Sequence, residues 1–251
     1  MIRLISRVDI RNGYHIKTVK CEGVHKLRPV ADSLHLFSHG LNEYDEIICI
    51  DNVASLYGFQ NWLLREDRHY YCPIPLSVGG AITTVSDAKK TLRIGADKIV
   101  INTAGLSNPF LLREISQYCG RQAVVLQVDA KQYSDSYICA THGARELSMI
   151  SVEEWLSMAY DLGVGEVHIT SVDSEGTSTR FPDRLAEIAF SVSQLPVILS
   201  GGIRSSRDIA HFANNYGASA FSLSSIPNLH GINISTLRLD LISQGLSVRQ
   251  T

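Results

Sequence analysis

Two aspartates stand where a pair of carboxylates could transfer protons. Asp9 lies near the end of the apolar run LISRVDI, and Asp129 lies near the end of the run AVVLQVDA. Each run predicts a buried β-strand, which would place each carboxylate at the C-terminal end of its strand. Two carboxylates can divide the roles of general acid and general base when their surroundings separate their pKa values. Either aspartate alone could simply cap the following loop, but the matching positions of both favour the catalytic interpretation.

Further polar side chains lie near the ends of other predicted strands. Lys17 lies in DIRNGYHIKTVK, where Asn-Gly predicts the turn of a hairpin-like connection. This lysine could close on a phosphate or on the reacting centre, or it could be a solvated loop residue. Hydroxyl and amide side chains at strand ends can bind phosphate or sugar oxygens, but they also cap helices. The candidates of this kind are Asn102, Thr103, Thr170, Ser171, Ser224 and Ser225.

The strands that must position these residues recur along the whole chain. Short runs rich in Val and Ile alternate with amphipathic stretches, and most are apolar on both faces, as covered parallel strands are. VSDAKKTLRIGAD and SVEEWLSMAYDLGVGE predict helices that end at a glycine. Repeated strand–helix alternation predicts an α/β protein with a single (β/α)8 barrel over residues 1–251. The predicted strands are 4–10, 46–51, 75–80, 98–103, 123–130, 166–173, 196–202 and 220–225.

An internal repeat divides this barrel into two halves. The phrase SVGGAI at 77–82 returns as LSGGI at 199–203, and the period of about half the chain gives half-barrels at about 1–120 and 121–251. Two equivalent glycine-rich turns would give two anion sites across one mouth, which would suit a substrate with a phosphate at each end. The matching pairs are Gly79 and Gly201 (201 − 79 = 122), Gly95 and Gly217 (217 − 95 = 122), Asp51 and Asp173 (173 − 51 = 122), and Asp9 and Asp129 (129 − 9 = 120).

Four charged residues begin predicted strands at the opposite end of the barrel. They are Arg3, Glu46, Lys98 and Glu166, at the first, second, fourth and sixth strands. Two positive and two negative side chains could form a closed ionic ring over the lower entrance, or they could be solvated charges scattered on the rim. The residues alone favour scattered charges, because this face of a barrel ordinarily serves stability rather than catalysis.

Composition excludes several classes of protein. The chain has 251 residues, of which 45% are hydrophobic and 19% charged, and its formal net charge is −2. These values are typical of a soluble globular protein and indicate neither a nucleic-acid nor a membrane partner. Five cysteines with no CxxC pair indicate reduced thiols in the cytoplasm. His35 and His39 have helical i, i+4 spacing but lack the glutamate of a zinc motif, so we expect no metal and no cofactor.

A resemblance to a known family covers essentially the whole chain. The chain resembles the cyclase subunit of imidazole glycerol phosphate synthase in the phrases VDIRNGYHIK, IDNVAS, SVGGAI, GADKIVINTA, VDAK, THG, GVGEVHITSVDSEGT, SGGI and QGLSVR. The family's fold is a (β/α)8 barrel with two-fold internal similarity. The resemblance implies an enzyme that takes ammonia from a partner glutaminase, together with the doubly phosphorylated substrate phosphoribulosyl-formimino-AICAR phosphate. Its products would be imidazole glycerol phosphate and an aminoimidazole carboxamide ribonucleotide.

The resemblance also implies roles for individual residues. Asp9 and Asp129 match the family's acid/base pair, and Lys17 matches a lysine on a flexible loop. The four charges at the lower end match a gate through which ammonia enters the barrel, which reverses the preference for scattered charges. Asp97 matches an aspartate at the glutaminase interface, so we expect a heterodimer. The candidate substrate and phosphate ligands are Asp51, Gly80, Ala81, Asn102, Thr103, Thr170, Ser171, Gly176, Thr177, Ser200, Gly201, Gly202, Ser224 and Ser225.

The chain departs from the family around the substrate mouth. Ala81 replaces the third glycine of a phosphate-binding turn, Arg7-Val8 replaces Cys-Leu, Thr18 replaces the glycine after the lysine, and residues 178–182 read STRFP. KTVK and ASLYG look more like a paralogous branch associated with surface-polysaccharide (lipopolysaccharide) genes, in which ammonia would pass to the amidation of a nucleotide sugar. Both functions stay open at this point. A barrel that only scaffolds and activates the glutaminase is a third hypothesis, which the retained aspartates disfavour.

Overall fold

Eight parallel strands close into a barrel in the computed structural model of the chain, which describes residues 1–58, 61–64, 72–224 and 233–249. Each strand pairs with the next, and the last strand pairs with the first, Arg3 standing opposite Ala220. Every barrel strand overlaps one predicted run, so the predicted (β/α)8 barrel is confirmed. The strands are β1 (Arg3–Arg11), β4 (Glu46–Asp51), β5 (Leu76–Gly79), β6 (Lys98–Ile101), β7 (Val124–Tyr133), β10 (Glu166–Ser171), β11 (Val197–Ser200) and β12 (Ala220–Leu223).

Two antiparallel hairpins extend the barrel strands at the mouth. They consist of β2 (Tyr14–Val19) with β3 (Gly23–Pro29), and β8 (Ser136–Thr141) with β9 (Glu146–Ser151). The first hairpin continues β1 and the second continues β7, so the two half-barrels carry hairpins at equivalent places. The predicted Asn-Gly turn is confirmed, because Asn12 and Gly13 have φ angles of 51° and 80°, as a tight two-residue turn requires.

Helices cover the outside of the barrel, and side-chain caps begin the two that were predicted. In the first, Thr84 and Asp87 form a reciprocal capping box. In the second, the Ser151 hydroxyl accepts a hydrogen bond from the Glu154 N–H. Both helices end shortly before the predicted glycine. The helices are α1 (Val30–Phe37), α2 (Ala54–Tyr57), α3 (Val85–Arg93), α4 (Thr103–Ser107), α5 (Phe110–Cys119), α6 (Val152–Ala159), α7 (Asp183–Val192), α8 (Ser206–Tyr216) and α9 (Ile234–Ser243).

The apolar core has two layers, because successive residues of a strand point to opposite faces. The larger layer lies between the sheet and the helices and includes the fully buried side chains of Trp155 and Phe212. The smaller layer fills the inside of the barrel, which is therefore a packed core and not an open pore. Its members are Ile5, Ile48, Ile50, Val100, Val125, Ile198 and Ala220.

The strand boundaries refine the internal repeat. β4 and β10 begin 166 − 46 = 120 residues apart, whereas β5 and β11 begin 197 − 76 = 121 residues apart. Gly80 is therefore the structural equivalent of Gly201, and Ala81 is the equivalent of Gly202. The structural match is shifted by one residue from the sequence repeat, which paired Gly79 with Gly201. Gly80 and Gly201 both have positive φ, and a Cβ on either would lie 2.4 or 2.6 Å from a backbone oxygen at the end of β4 or β10.

The cysteines and histidines agree in part with the expectations from composition. All five cysteines are free thiols, and three of them are buried. His35 is exposed near the end of α1, whereas His39 follows the helix. Within the described residues, no group of three or more His, Cys, Asp or Glu side chains could hold a metal ion. In the same ranges, every helix is too short or too polar to cross a membrane.

Candidate active site

Asp9 lies near the C-terminal end of β1, where the side chain of Arg7 holds its carboxylate. Arg7 Nε lies 2.9 Å from Asp9 Oδ1 and 3.2 Å from Oδ2. The guanidinium also donates across the barrel to Thr170 Oγ1 at 2.8 Å, and more weakly to Ser200 Oγ at 3.5 Å. Arg7 and Asp9 are both buried. Burial by itself would lower the pKa of Arg7, but Asp9 and other nearby groups raise it, so Arg7 remains a cation.

Asp129 lies at the equivalent place on β7 and is held by neutral amides instead. Gln127 Nε2 donates to Oδ1 at 3.0 Å, and Asn102 Nδ2 donates to Oδ2 at 2.8 Å. Burial raises the pKa of Asp129, and the charge of Arg7 and the two amide hydrogen bonds oppose this only in part. Asp129 is therefore more easily protonated than an ordinary aspartate.

Arg7 and Gln127 are equivalent residues of the two half-barrels. Each precedes its aspartate by two residues, and the separation 127 − 7 = 120 equals the separation 129 − 9 = 120. Period-two alternation puts each donor on the same face of its strand as the carboxylate. One half-barrel thus supplies a cation and the other a neutral amide. The same backbone arrangement gives the two carboxylates the different surroundings that an acid/base pair needs.

Lys17, in the hairpin strand β2, is buried and bound to the loop after β10. Its Nζ forms an ion pair with Glu175 and donates to the carbonyl of Thr18 at 2.6 Å. The Thr18 hydroxyl and the Cys21 N–H also donate to Glu175, each at 3.0 Å. Because three donors converge on this carboxylate, the hairpin is fastened to the loop. The alternative of a solvated loop lysine is therefore wrong.

The first glycine turn borders a cavity of about 660 Å³ at the mouth of the barrel. Gly80 and Ala81 line this cavity together with Asn102, Thr103 and Asp129. Ala81 has a φ of 52°, in the left-handed region that favours glycine. The volume is in the range of small-molecule sites, and the proposed catalytic carboxylate lies on its wall.

The second glycine turn is covered by residues 178–182, the segment that departs from the family. The Phe181 N–H donates to the Gly202 carbonyl at 3.1 Å, and a Cβ on Gly202 would lie 2.5 Å from that nitrogen. The space left between this turn and the buried side chain of Lys17 is only about 20 Å³. The two glycine turns are equivalent in sequence, but they differ in the space that they offer to a ligand.

Several predicted substrate ligands hold the loops of the mouth together. The Asp51 carboxylate accepts three backbone N–H groups of the loop that follows β4. Thr103 Oγ1 accepts the His142 N–H at 3.1 Å, which joins β6 to the second hairpin. Thr177 donates to the Ser174 carbonyl at 3.0 Å within its own turn.

The remaining candidates lie on the covered side of the mouth or in the barrel wall. Ser225 lies outside the described residues. The hydroxyl of Ser171 is buried, and the structure gives it no hydrogen-bond partner among the described residues. The side of the mouth near Lys17 contains Gly176, Ser200, Gly201, Gly202 and Ser224.

A closed ionic ring spans the lower end of the barrel. Arg3 pairs with Glu46 at 2.5 Å and also with Glu166, while Lys98 lies 3.1 Å from Glu46 and 2.9 Å from Glu166. Burial by itself would raise the pKa of Glu46, but Lys98 and Arg3 outweigh it and lower that pKa. Burial would lower the pKa of Lys98, but Glu166 and Glu46 raise it. Both shifts favour the charged forms of Glu46 and Lys98, and the four side chains form one closed network, so the scattered arrangement is wrong.

Asp97 lies exposed on the same lower face, directly before Lys98. Its carboxylate accepts the N–H of Leu76 at 2.8 Å, which fixes the start of β5. The residue is thus both a structural group and an accessible charge beside the ring.

Three important contacts of the site were missed in the sequence. The pairing of Arg7 with Asp9 and of Gln127 with Asp129 could have been found from the i − 2 spacing on a strand, since both residues share a face with the aspartate. Glu175 is different, because nothing local links it to a lysine 158 positions away. Only the closure of the barrel brings them together.

Comparisons with known proteins identify the family of the chain. A family model described as "Histidine biosynthesis protein" matches residues 3–226. A Legionella pneumophila protein named imidazole glycerol phosphate synthase subunit HisF is 38% identical over 205 residues, which cover 80% of this chain and 95% of that protein. Proteins of the same name from Mycobacteroides abscessus and Pyrococcus furiosus are each 33% identical, and each match covers 98% of both chains. The chain therefore belongs to the histidine biosynthesis protein family, among the relatives of the cyclase subunit of imidazole glycerol phosphate synthase.

Proposed function

We propose that the chain is an ammonia-dependent cyclase of the imidazole glycerol phosphate synthase type. It would convert phosphoribulosyl-formimino-AICAR phosphate and ammonia into imidazole glycerol phosphate, the aminoimidazole carboxamide ribonucleotide and one molecule of water, which carries away the carbonyl oxygen of the substrate. The observation that carries the proposal is the pair Asp9 and Asp129, which lie at the same end of one barrel in different surroundings. The free thiols of all five cysteines support a cytoplasmic location.

The two aspartates divide the proton transfers of the reaction. Asp9 forms a buried ion pair with Arg7, an arrangement that suits a general base. Asp129 has its pKa raised, chiefly by burial, which suits a group that carries a proton to a leaving atom. Asn102 and Gln127 each donate to one oxygen of the Asp129 carboxyl group and so fix its orientation beside the cavity.

The substrate binds between the two glycine turns. The open cavity takes one phosphate at Gly80 and Ala81, beside the hydroxyl of Thr103. The second phosphate requires the covered turn at Gly201, and so the hairpin must release Glu175 before Lys17 can reach the substrate. Release frees a cation that then pairs with the substrate rather than with the protein.

Ammonia enters from the opposite end of the barrel, from a glutaminase subunit in a heterodimer. The closed ring of Arg3, Glu46, Lys98 and Glu166 supports this route, because it places four charges over the lower entrance on the axis that leads to the aspartates. Asp97 contributes an exposed carboxylate to the docking face beside the ring.

A cyclase assay without the glutaminase tests the proposal. The purified chain is given the doubly phosphorylated substrate and a high concentration of ammonium salt at alkaline pH, and the substrate absorbance is followed. We expect turnover that Asp129→Asn abolishes and that the matched surface variant Asp161→Asn retains, since Asp161 is exposed after α6. Absence of turnover by the folded chain, or equal turnover by Asp129→Asn, would refute the assignment.

The paralogous branch remains the second candidate. Two observations favour it, namely the strained Ala81 at the first glycine turn and the cover over the second turn. Each of them leaves less room for one of the two phosphates. In that function the barrel would pass ammonia to a separate enzyme that amidates a nucleotide sugar. A folded chain that fails in the cyclase assay but stimulates glutamine-dependent amidation of a nucleotide sugar would establish it.

A further inference from the structure

His168 lies on the axis of the barrel, between the ionic ring and the aspartates. It is in β10, between Glu166, which joins the ring, and Thr170, which accepts a hydrogen bond from Arg7. Both contacts cross the barrel from β10 to β1, which are not neighbouring strands, so both residues point inward. Strand alternation gives His168 the same direction. Its ring is therefore enclosed at the level of the aliphatic side chains that fill the barrel.

The imidazole of His168 is completely buried, and neither ring nitrogen has a hydrogen-bond partner among the described residues. Buried polar groups without partners are uncommon in folded proteins, because losing hydration without a replacement is costly. A leucine would fill such a site without that cost. The position therefore calls for a ligand that can satisfy the imidazole.

The surroundings define the chemistry of this ligand. Burial and the nearby charge of Arg7 lower the pKa of His168 well below its usual value, so the ring is neutral, with one donor and one acceptor nitrogen. An ammonium ion would lose its hydration among aliphatic side chains and would face the guanidinium of Arg7. The ligand must be small and neutral, and it must both donate and accept hydrogen bonds. Ammonia and water have these properties.

We propose that His168 binds neutral ammonia on its way from the ionic ring to the aspartates. The inference rests on the proposed delivery of ammonia through the barrel, and it adds a binding site inside the barrel. His168 holds the molecule by a hydrogen bond to a ring nitrogen, near the aliphatic side chains that fill the barrel. Arg7, at the next level, excludes the protonated form.

The test measures ammonia binding directly by NMR of the whole chain with ¹⁵N-labelled histidine. His168→Leu assigns the ring signals, and His168→Asn serves as a second assignment variant if the first does not fold. Ammonium chloride is added at one total concentration, first near neutral pH and then at alkaline pH, where more free ammonia is present. Potassium chloride at the same ionic strength is the control for salt. His15 is the matched internal control, because it is also buried with a pKa lowered to about 4, but its Nδ1 lies 2.9 Å from Ser33 Oγ outside the barrel axis.

We expect the ring signals of His168 to shift with ammonium chloride at alkaline pH, and those of His15 to stay in place. An unchanged His168 signal, or equal shifts for both histidines, would overturn the proposal. If the His168 ring contacts water strongly and added ammonia does not change that contact, the site binds water, which would also overturn the proposal. The cyclase assay separates the two levels of the argument. A His168 shift without turnover supports the ammonia site while refuting the cyclase, and turnover without a shift refutes the ammonia site alone.

Discussion

Replacing Arg7 by glutamine tests how the protein distinguishes its two aspartates. Arg7→Gln gives the first half-barrel the arrangement of the second, where Gln127 donates to Asp129 at 3.0 Å. A glutamine at this position can keep one hydrogen bond to Asp9. The variant loses the positive charge and the hydrogen bond to Thr170, so the buried Asp9 carboxylate is left without its cation.

The expected loss of stability follows from the burial of the pair. Removing one partner of a buried ion pair costs about 3–5 kcal/mol, and the retained neutral hydrogen bond offsets about 1 kcal/mol. We therefore expect Arg7→Gln to lower the free energy of unfolding by roughly 2–4 kcal/mol. In a domain of this size, 1 kcal/mol corresponds to about 2–4 °C, so Tm should fall by roughly 4–16 °C.

Thermal and urea unfolding of a double-mutant cycle measures the effect. Asp9→Asn in the Arg7→Gln background removes both charges, so we expect a coupling energy of about 1–3 kcal/mol. Thr170→Val is the matched control, because it removes only a neutral acceptor of Arg7 and should cost about 1 kcal/mol. A loss below about 0.5 kcal/mol for Arg7→Gln, or additive single effects, would refute the idea that Arg7 and Asp9 form a stabilising buried ion pair.

Three further predictions concern the aspartates, the ring and the first glycine turn. The folded-state pKa of Asp129 is raised above the ordinary aspartate value of 3.8, so the folded protein loses stability relative to the unfolded chain as the pH rises above 3.8. Asp129→Asn removes this cost and should raise Tm at neutral pH, with a gain that disappears in acid. An unchanged Tm at neutral pH would contradict this. Lys98→Met leaves Glu46 and Glu166 to share Arg3, and it should reduce glutamine-dependent turnover with the glutaminase more than ammonium-dependent turnover; equal losses would remove the argument for a gate. Ala81→Gly relieves about 1 kcal/mol of strain from the left-handed backbone, but the added conformational entropy of the unfolded chain costs a similar free energy. The free energy of unfolding should therefore change by less than about 0.5 kcal/mol, while KM for the phosphorylated substrate should fall. An unchanged KM would show that the methyl group does not hinder binding.

Local pattern was sufficient to predict the barrel and the end of it at which the four charges lie. The barrel strands are short, apolar on both faces and regularly spaced, so each could be identified from its own residues. Lys98 and Glu166 follow the same logic, because strand starts in a closed barrel meet at one end. The residues alone could not decide between a ring and scattered charges, since that choice depends on distances across the barrel.

The details of the mouth depend on long-range contacts that a linear pattern does not contain. Asn102, a predicted phosphate ligand, lines the cavity and also donates to Asp129, a contact that the closed barrel makes between residues 27 positions apart. Symmetry between the halves predicted two equal anion sites, whereas residues 178–182 fold back over Gly202. The buried place of His168 was also missed, because a histidine in a strand gives no sign of which face will be enclosed.

In the proposed function, the unequal glycine turns would give substrate binding an order. A molecule with two similar ends can first be anchored only at the open turn, because the far side is held shut through Glu175. The second end of the substrate then competes with the Glu175 carboxylate for Lys17. Lys17 would therefore leave Glu175 only after the first end is tightly bound. Such a mouth discriminates by length, since a ligand too short to reach Lys17 would occupy the cavity without ever opening the hairpin. The chain would thus act on long bifunctional substrates and hold short analogues as unproductive occupants.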